Sequence, residues 1–335
     1  MKRRKTESRS IDFVSNKPLL LKEYSNILKI RDQGARILVK RVIGLGDVVL
    51  TIPPLIALKR WYGNAYIIYV TSDVFVPIFT RLNLVDLVID LDTYKKGKIS
   101  FDVIADLDGK VDHLPVSQKA HRADLLAMAM GISLSLDDKK YRIKANSVDI
   151  TWIKDYLKSN GYRGGHIVGI QFDACSDIRT WPSDYIRRLV DNLRNKGITT
   201  IILGRDPIDI DGLGSINLCG KLSIERLFAT VSLCNAVVGS DSGILHVAGI
   251  LGIPIVGIFG SIEPLFRVRY YDSYIVLINK GLPCVPCWDW QLHSCRQTPF
   301  YKKCLTSIYP DDVSGAVDDI LENPALQKIV RLNRD

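Results

Sequence analysis

The stretch Asp241-Ser242-Gly243-Ile244-Leu245-His246 follows an apolar run, Ala236–Gly239, and contains residue types suited to holding an anion. The pattern predicts a buried strand, a tight turn and the start of a helix. A helix start presents free backbone N–H groups and the positive end of the helix dipole. Ser242, Gly243 and the following amides could therefore bind a diphosphate. His246 lies one turn into the helix and can point to the same side, but a single histidine on an apolar helix is commonly structural.

A second candidate is Asp47, in the stretch Gly44-Leu45-Gly46-Asp47, where the first predicted strand gives way to the first helix. Both glycines allow a tight turn and leave room for a ligand. The third glycine of a dinucleotide-binding fingerprint would fall at Val49, which disfavours a nicotinamide cofactor. Ligands bind at the carboxyl ends of parallel strands, so Asp47 is a candidate site residue. The alternative is that it only caps the helix.

A third candidate is Arg179, which follows the predicted strand His166–Phe172 by a short loop. Pro182 and Ser183 are predicted to begin the next helix, and a helix N-terminus can hold anions. The guanidinium of Arg179 could neutralise a phosphate through two hydrogen bonds. The alternative is an ordinary capped helix with an arginine on its surface.

Four cysteines lie within about twenty residues near the C-terminus: Cys284, Cys287, Cys295 and Cys304. In an intracellular protein such a cluster favours a metal site over disulfides. Four thiolates complete a tetrahedral set for one structural Zn or Fe ion, and His293 could replace Cys295. The alternative is a loop that carries reduced thiols.

Strands and helices alternate along the chain, which predicts an α/β fold with mostly parallel sheets. Strands are predicted at Arg36–Ile43, Tyr66–Val70, Val85–Leu91, Phe101–Asp106, His166–Phe172, Thr199–Leu203, Ala236–Gly239 and Pro254–Phe259. Helices are predicted at Asp47–Trp61, Val74–Leu82, Ala120–Met130, Trp152–Leu157, Ser183–Asn195, Ser223–Cys234 and Ser242–Leu251. We expect two Rossmann-like domains facing a cleft, plus a small cysteine-rich metal finger.

The predicted domains follow this alternation. Residues 1–34 form a partly disordered extension, residues 35–148 an N-terminal Rossmann-like acceptor domain, and residues 149–335 a C-terminal Rossmann-like nucleotide-sugar domain. The C-terminal domain includes the finger, 284–304, and a terminal helix. A polar stretch near residues 137–146 is the predicted linker.

The amino-acid composition indicates the class of protein and its expected location. The 335 residues are 47% hydrophobic and 24% charged, which is typical of a globular protein. The net charge of +9 suits anionic ligands without selecting one, and it is also compatible with an ordinary basic surface. No secretory signal is recognisable, because no apolar core follows the basic start before Ile11. We therefore expect a cytoplasmic protein.

These motifs together resemble glycosyltransferase family 9, which includes the ADP-heptose lipopolysaccharide heptosyltransferases. The resemblance covers roughly residues 37–313 and rests on three blocks: Gly46-Asp47-Val48 with Thr51-Ile52-Pro53, then Trp181-Pro182, then Asp241-Ser242-Gly243-x2-His246 with Gly260-x3-Pro264. It implies the twin-Rossmann GT-B fold and transfer with inversion at the anomeric carbon. It implies no catalytic metal.

Residue by residue, the resemblance assigns Asp47 as general base. Gly46, Arg179, Asp241, Ser242, Gly243 and His246 are assigned to donor binding. Arg179 stands where the family often has lysine, and Glu263 where it often has aspartate. No counterpart of the family's ribose-binding acid is recognisable in these blocks, and Asp206 and Asp209 are the candidates for it. Some related autotransporter heptosyltransferases hold iron in a four-cysteine finger.

The implied reaction moves a sugar, most simply a heptose from ADP-heptose, to a hydroxyl on a glycan, a lipid-linked acceptor such as the lipopolysaccharide core, or a protein. Such an acceptor is compatible with peripheral contact with the inner membrane face. Two alternatives stay open: a nucleotide-sugar epimerase of GT-B fold, and a non-catalytic metal-finger binding protein on a transferase scaffold. The sequence predicts neither a specific nucleic-acid partner nor a particular oligomeric state.

Overall fold

The computed structural model describes residues 34–97, 99–108, 111, 120–171, 174, 177–209, 213–287 and 295–334. The predicted extension, apart from its last residue, and His293 lie outside the described residues. The chain divides into two compact units, Met1–Tyr141 and Arg142–Asp335. The division falls a few residues before the predicted boundary at 148/149. The reason is that the Ile143 amide donates to the Ile250 carbonyl (3.1 Å) and Arg142 pairs with Asp272 (2.8 Å).

The first unit is built on a parallel sheet of four strands in the order β3-β2-β1-β4. The strands are β1 (Arg36–Lys40), β2 (Tyr66–Thr71), β3 (Leu87–Asp90) and β4 (Val103–Asp106). Register is set by pairs such as Leu38 with Ile68 and Leu38 with Ile104, which are all buried. The chain runs from β1 to β2 and β3 on one side and returns to β4 on the other. The topological switch point therefore lies between β1 and β4.

Six α-helices of the first unit are described. They are α1 (Leu45–Leu50), α2 (Ile52–Trp61), α3 (Val76–Leu82), α4 (Leu91–Lys95), α5 (Arg122–Ala129) and α6 (Leu136–Lys139). The single helix predicted at Asp47–Trp61 is wrong, because it is interrupted at Thr51. Pro53 and Pro54 have no N–H to donate to the carbonyls one turn earlier, so the hydrogen-bond ladder cannot continue. The two prolines instead fill the first turn of α2, where no donor is needed.

The second unit is built on a parallel sheet of seven strands in the order β11-β10-β9-β8-β5-β6-β7. The strands are β5 (Ile167–Gln171), β6 (Thr199–Leu203), β7 (Ile216–Asn217), β8 (Ala236–Ser240), β9 (Ile255–Phe259), β10 (Tyr274–Asn279) and β11 (Gln327–Leu332). From β5 the chain goes to β6 and β7 on one side, then to β8 on the other. The switch point of this sheet lies between β5 and β8.

Seven α-helices of the second unit are described, and several of them contact this sheet. They are α7 (Ser147–Ser159), α8 (Ser183–Asn195), α9 (Ile224–Ser232), α10 (Gly243–Ile250), α11 (Leu265–Val268), α12 (Lys303–Thr306) and α13 (Pro310–Glu322). In α8, Ile186, Leu189, Val190 and Leu193 recur at helical spacing and are all buried. The predicted α/β fold with Rossmann-like units is confirmed by the two parallel sheets.

Three described strands, β7, β10 and β11, are absent from the sequence prediction. All six residues of β10 are buried, and its apolar run is typical of a central strand. In contrast, β11 is half exposed at the edge of the sheet, and Lys328 and Arg331 interrupt its apolar pattern. The long uncharged run from Ile244 to Ile262 forms most of α10, a turn and β9, as predicted. In the described part of the chain, no helix has the length and apolar character needed to span a membrane.

Candidate active site

The predicted turn at Asp241 lies at the switch point of the second sheet. It joins the end of β8 to the start of α10, and Arg179 approaches it from the segment that follows β5. Nη1 of Arg179 donates to the Asp241 carbonyl (3.1 Å) and lies 3.7 Å from its Oδ2. The side chain of Arg179 is mostly buried, so the surface-arginine alternative is wrong.

Asp241 is itself buried and is surrounded by cationic or N–H-bearing side chains. Its Oδ1 lies 3.5 Å from Nε of Arg267 and 3.4 Å from Nε2 of His246. Burial alone would raise the pKa of this carboxyl, but Arg267, His246 and Arg179 together hold the pKa well below its usual range. Asp241 is therefore an ionised internal counter-ion that fixes the turn.

His246 uses both ring nitrogens within the protein. Its Nδ1 lies 2.6 Å from the Tyr271 hydroxyl, and burial raises the pKa of Tyr271 above its ordinary value. The hydroxyl keeps its proton and can donate it to Nδ1, which leaves Nε2 to carry the proton that faces Asp241. This geometry favours the structural reading of His246.

Gly249 explains how Tyr271 reaches that histidine. A Cβ at this position of α10 would overlap the Tyr271 ring, so only glycine lets the ring lie directly against the helix. His246 is three residues earlier on the same helix, which brings its ring within reach of the hydroxyl.

The start of α10 leaves its backbone donors available. Its N-cap is Ser242, whose hydroxyl donates to Oε1 of Gln171 at the end of β5 instead of capping the helix. Gly239 permits this contact, because a Cβ there would lie 2.5 Å from the same Oε1. Gly243 is the first residue of the helix, and amides at such a helix start can bind an anion.

In the first unit, Asp47 is held by two buried arginines. It is the third residue of α1, whose N-cap is Gly44 in the left-handed region (φ 85°). Its Oδ1 accepts from Nε of Arg122 (2.8 Å), and its Oδ2 accepts from Nη2 of Arg122 (3.1 Å) and from Nη2 of Arg41. These contacts with guanidinium groups favour a site role for Asp47 over the helix-capping alternative. Gly46, also predicted as a site residue, precedes it in the first turn.

A second carboxylate, Asp108, supports the same arginine from the end of β4. Nη1 of Arg41 donates to the Leu107 carbonyl (2.9 Å), and its Nε lies 4.0 Å from Oδ1 of Asp108. The same Oδ1 accepts from the Val42 amide (2.9 Å). The ends of β1 and β4 are thus tied together at the switch point of the first sheet, beside Asp47.

Two other acidic residues that the resemblance singled out, Glu263 and Asp206, form ion pairs at or near the surface. Glu263 accepts from Nζ of Lys280 (2.7 Å). Asp206 is exposed and pairs with Arg205 (2.9 Å), whose hydrogen bonds lower the pKa of Asp206. Neither contact involves the Asp241 turn.

The four predicted metal ligands are described, although residues 288–294 between them are not. Burial, together with the nearby thiols of Cys287, Cys295 and Cys284, raises the pKa of the Cys304 thiol to about 12. The four thiols are therefore close enough to interact electrostatically, and a set of four thiols fits Zn or Fe. Within the described residues, no three His, Cys, Asp or Glu side chains stand close enough together to bind a metal ion.

Comparison with known protein families identifies the family of this chain. The model of glycosyltransferase family 9 (heptosyltransferase) matches residues 120–294, which is just over half of the 335 residues. The chain belongs to glycosyltransferase family 9. The match includes Arg179, the Asp241 turn and two of the four cysteines, Cys284 and Cys287, and it begins two residues before Arg122.

The relatives that this chain resembles in sequence are named as heptosyltransferases. It is 25% identical over 111 residues to lipooligosaccharide heptosyltransferase 2 of Campylobacter jejuni, a segment that spans 33% of this chain and 33% of that protein. Its fold is similar to that of a family 9 glycosyltransferase from Veillonella parvula, with TM-score 0.69, 19% identity, and coverage of 86% of this chain and 97% of that one.

A third similar protein is the iron-containing dodecameric glycosyltransferase TibC of enterotoxigenic Escherichia coli. The TM-score is 0.63 at 15% identity, with coverage of 87% of this chain and 77% of that one. TibC has also been solved in complex with ADP-D-beta-D-heptose. These similarities confirm the GT-B fold class.

Sequence reasoning missed the residues that support the candidate site. These are Arg41, Arg122, Gln171, Arg267 and Tyr271. Arg122 lies 75 residues from Asp47 along the chain, so no local pattern joins them. The one available signal was that Arg41 directly follows the strand that leads to Asp47.

We expect Asp241→Asn to destabilise the protein in a pH-dependent way. The folded pKa of Asp241 lies below the ordinary value of about 3.9, so its charge stabilises the fold above about pH 4 and this contribution is lost as the pH falls further. Because the variant leaves buried arginines without their counter-ion, the free energy of unfolding should drop by about 3 kcal/mol at pH 7. Urea denaturation from pH 3 to 8 measures the free energy of unfolding of the parent protein and the variant.

The matched control is Asp318→Asn, which removes an exposed carboxylate 2.6 Å from Lys196. It should change the free energy of unfolding by less than about 1 kcal/mol at pH 7. A deficit for Asp241→Asn that stays constant below pH 4 would contradict the role of Asp241 as an ionised counter-ion.

Proposed function

We propose that this protein is an inverting glycosyltransferase that transfers a heptose from ADP-heptose to a hydroxyl on a glycan, a lipopolysaccharide core or a protein. The observation that carries the proposal is the buried Asp241 network at the switch point of the second sheet, in a chain that belongs to family 9. The choice of donor is supported by the names of the relatives and by the ADP-heptose complex of TibC.

The second unit is assigned to the donor. The first amides of α10 and the guanidinium of Arg179 would bind the diphosphate. As the bond between the anomeric carbon and the diphosphate breaks, negative charge grows on the leaving ADP. Groups already fixed by Asp241 stabilise that charge without having to reorganise.

The first unit is assigned to the acceptor, with Asp47 as general base. The acceptor oxygen attacks the anomeric carbon from the face opposite the diphosphate, and its proton passes to Asp47. Arg41 and Arg122 fix the direction of the carboxylate that takes this proton. The sugar is transferred with inversion, and ADP leaves.

Family membership favours transfer over both alternatives. An epimerase would convert the sugar nucleotide with no acceptor present. A non-catalytic binding protein would have no need to hold Asp47 between two buried arginines, since burying such charges is costly.

The four cysteines are proposed to hold one structural Zn or Fe ion, and no catalytic metal is proposed. Support comes from the four cysteines within about twenty residues of sequence and from the iron in the similar protein TibC. Four thiolates leave no open coordination position, so such an ion would stabilise the fold and would not touch the sugar.

Asp47→Asn tests the assignment of the base and the reaction together. The parent protein should release ADP from ADP-heptose in the presence of acceptor, with inverted configuration in the product by NMR. The variant keeps the shape but cannot take the proton, so turnover should fall by about 10²–10⁴ with donor affinity little changed. The control, Asp102→Asn, alters an exposed carboxylate that accepts from the Arg36 amide and should retain turnover.

Two results of that assay would contradict the proposal. Near-normal turnover of Asp47→Asn would remove Asp47 as the base. Conversion of the sugar nucleotide without any acceptor would favour an epimerase.

The metal proposal predicts about one equivalent of zinc and iron combined in protein purified without added metal. A double variant, Cys284→Ser with Cys287→Ser, should lose the ion and unfold at a lower temperature, because metal binding is coupled to folding. Elemental analysis and thermal denaturation measure these outcomes. Metal below about a tenth of an equivalent, with four freely titrating thiols in the folded protein, would contradict the proposal.

A further inference from the structure

One carboxylate outside the cysteine-rich segment is bound by three side chains from residues 295–304. The Tyr301 hydroxyl donates to Oδ2 of Asp177, and Nζ of Lys302 lies 3.0 Å from Oδ1. Nη2 of Arg296 lies 3.7 Å from Oδ2. These residues are more than a hundred positions apart in sequence, so the contacts join two distant parts of the second unit.

Asp177 also begins the short 3₁₀ turn that ends at Arg179. The Thr180 amide donates to the Asp177 carbonyl (3.0 Å), which closes the turn. At its other end, Nη1 of Arg179 donates to the carbonyl of Asp241 (3.1 Å). A single turn therefore connects residues 295–304 to the proposed donor-binding turn.

The chain around Cys304 is fixed by buried contacts of its own. A Cβ on Gly260, at the end of β9, would lie 2.5 Å from Sγ of Cys304, so the two are in close contact. Nε1 of Trp181 donates to the Ile308 carbonyl (3.0 Å), and the Tyr185 hydroxyl donates to the Thr306 carbonyl (3.0 Å). Cys304 and the residues that follow it are thus attached to the second sheet and to the start of α8, close to the three side chains that contact Asp177.

We propose that Asp177 is a positioning residue, through which residues 295–304 hold Arg179 against the Asp241 turn and thereby set the affinity for the donor diphosphate. The inference rests on the proposed function, where Arg179 is assigned to the diphosphate. Without the Asp177 carboxylate, the 3₁₀ turn loses its attachment to Tyr301 and Lys302. The guanidinium of Arg179 then spends less time in the orientation that binds phosphate, which weakens donor binding and leaves proton transfer to Asp47 unaffected.

The test uses the full chain and compares Asp177→Ala with Asp177→Glu, Arg179→Ala and the double variant. ADP binding is measured by calorimetry, and hydrogen exchange is followed in the peptide covering Arg179–Ser183. Asp177→Ala should raise the Kd for ADP about tenfold and speed exchange in that peptide, and Asp177→Glu should partly restore both. In the double variant, the Kd should match that of Arg179→Ala, because the two residues act on one interaction.

The control is Asp318→Ala, which removes a carboxylate of similar side-chain exposure, 41% against 43% for Asp177. It should leave the Kd and the exchange of this peptide unchanged. Additive effects in the double variant, or an unchanged Kd and unchanged exchange in Asp177→Ala, would overturn the proposal. If the parent protein does not bind ADP, the proposed donor is wrong. The exchange data then decide this inference alone: faster exchange confined to the peptide supports it, and unchanged exchange overturns it.

Discussion

The buried negative charge of Asp241 is the constraint on which the proposed donor site depends. A carboxylate at this depth is tolerated only when it is paired and hydrogen-bonded. Arg267, Arg179 and His246 supply that pairing, and each comes from a different part of the second unit. Since the charge holds these parts together, the amides at the start of α10 are fixed before any ligand arrives.

Both sheets place their candidate residues by the same topological rule. In each, the chain leaves a central strand in one direction and later returns to its other side, which opens a crevice at the carboxyl ends of two neighbouring strands. In the first unit these strands lead to Arg41 and Asp108, beside Asp47. In the second they lead to Arg179 and Asp241. The glycines at positions 44, 239 and 249 serve this placement, because each allows a turn or a close approach that a side chain would block.

Local sequence patterns predicted much of the fold and part of the candidate site. The ends of α8 and β6 agree with the prediction residue for residue, because Pro182 with Ser183 and the apolar run of β6 are strong local signals. The motif at Asp241 was located, and its strand, turn and helix are as expected. Family membership, inferred from three short blocks, is confirmed by the family match.

What the sequence did not predict depends on contacts between distant residues. Asp47 could not be distinguished from a helix cap until Arg122 was seen beside it, and His246 could not be recognised as part of the scaffold without Tyr271. The break at Thr51 was missed because the helical spacing of apolar residues continues across it, although the two prolines that follow were a sufficient signal. Strand β11 was missed because charged residues interrupt its apolar pattern. Such a pattern is possible because an edge strand needs no continuous apolar run.

The central claim is that the start of α10 binds the diphosphate of the donor, and a crystal structure of the protein with ADP tests it most directly. We predict that phosphate oxygens accept hydrogen bonds from backbone amides at Gly243 and Ile244 and from the guanidinium of Arg179, while Asp241 keeps its contacts with Arg267 and His246. ADP bound elsewhere on the second unit, with the amides at the start of α10 facing only solvent, would contradict the claim.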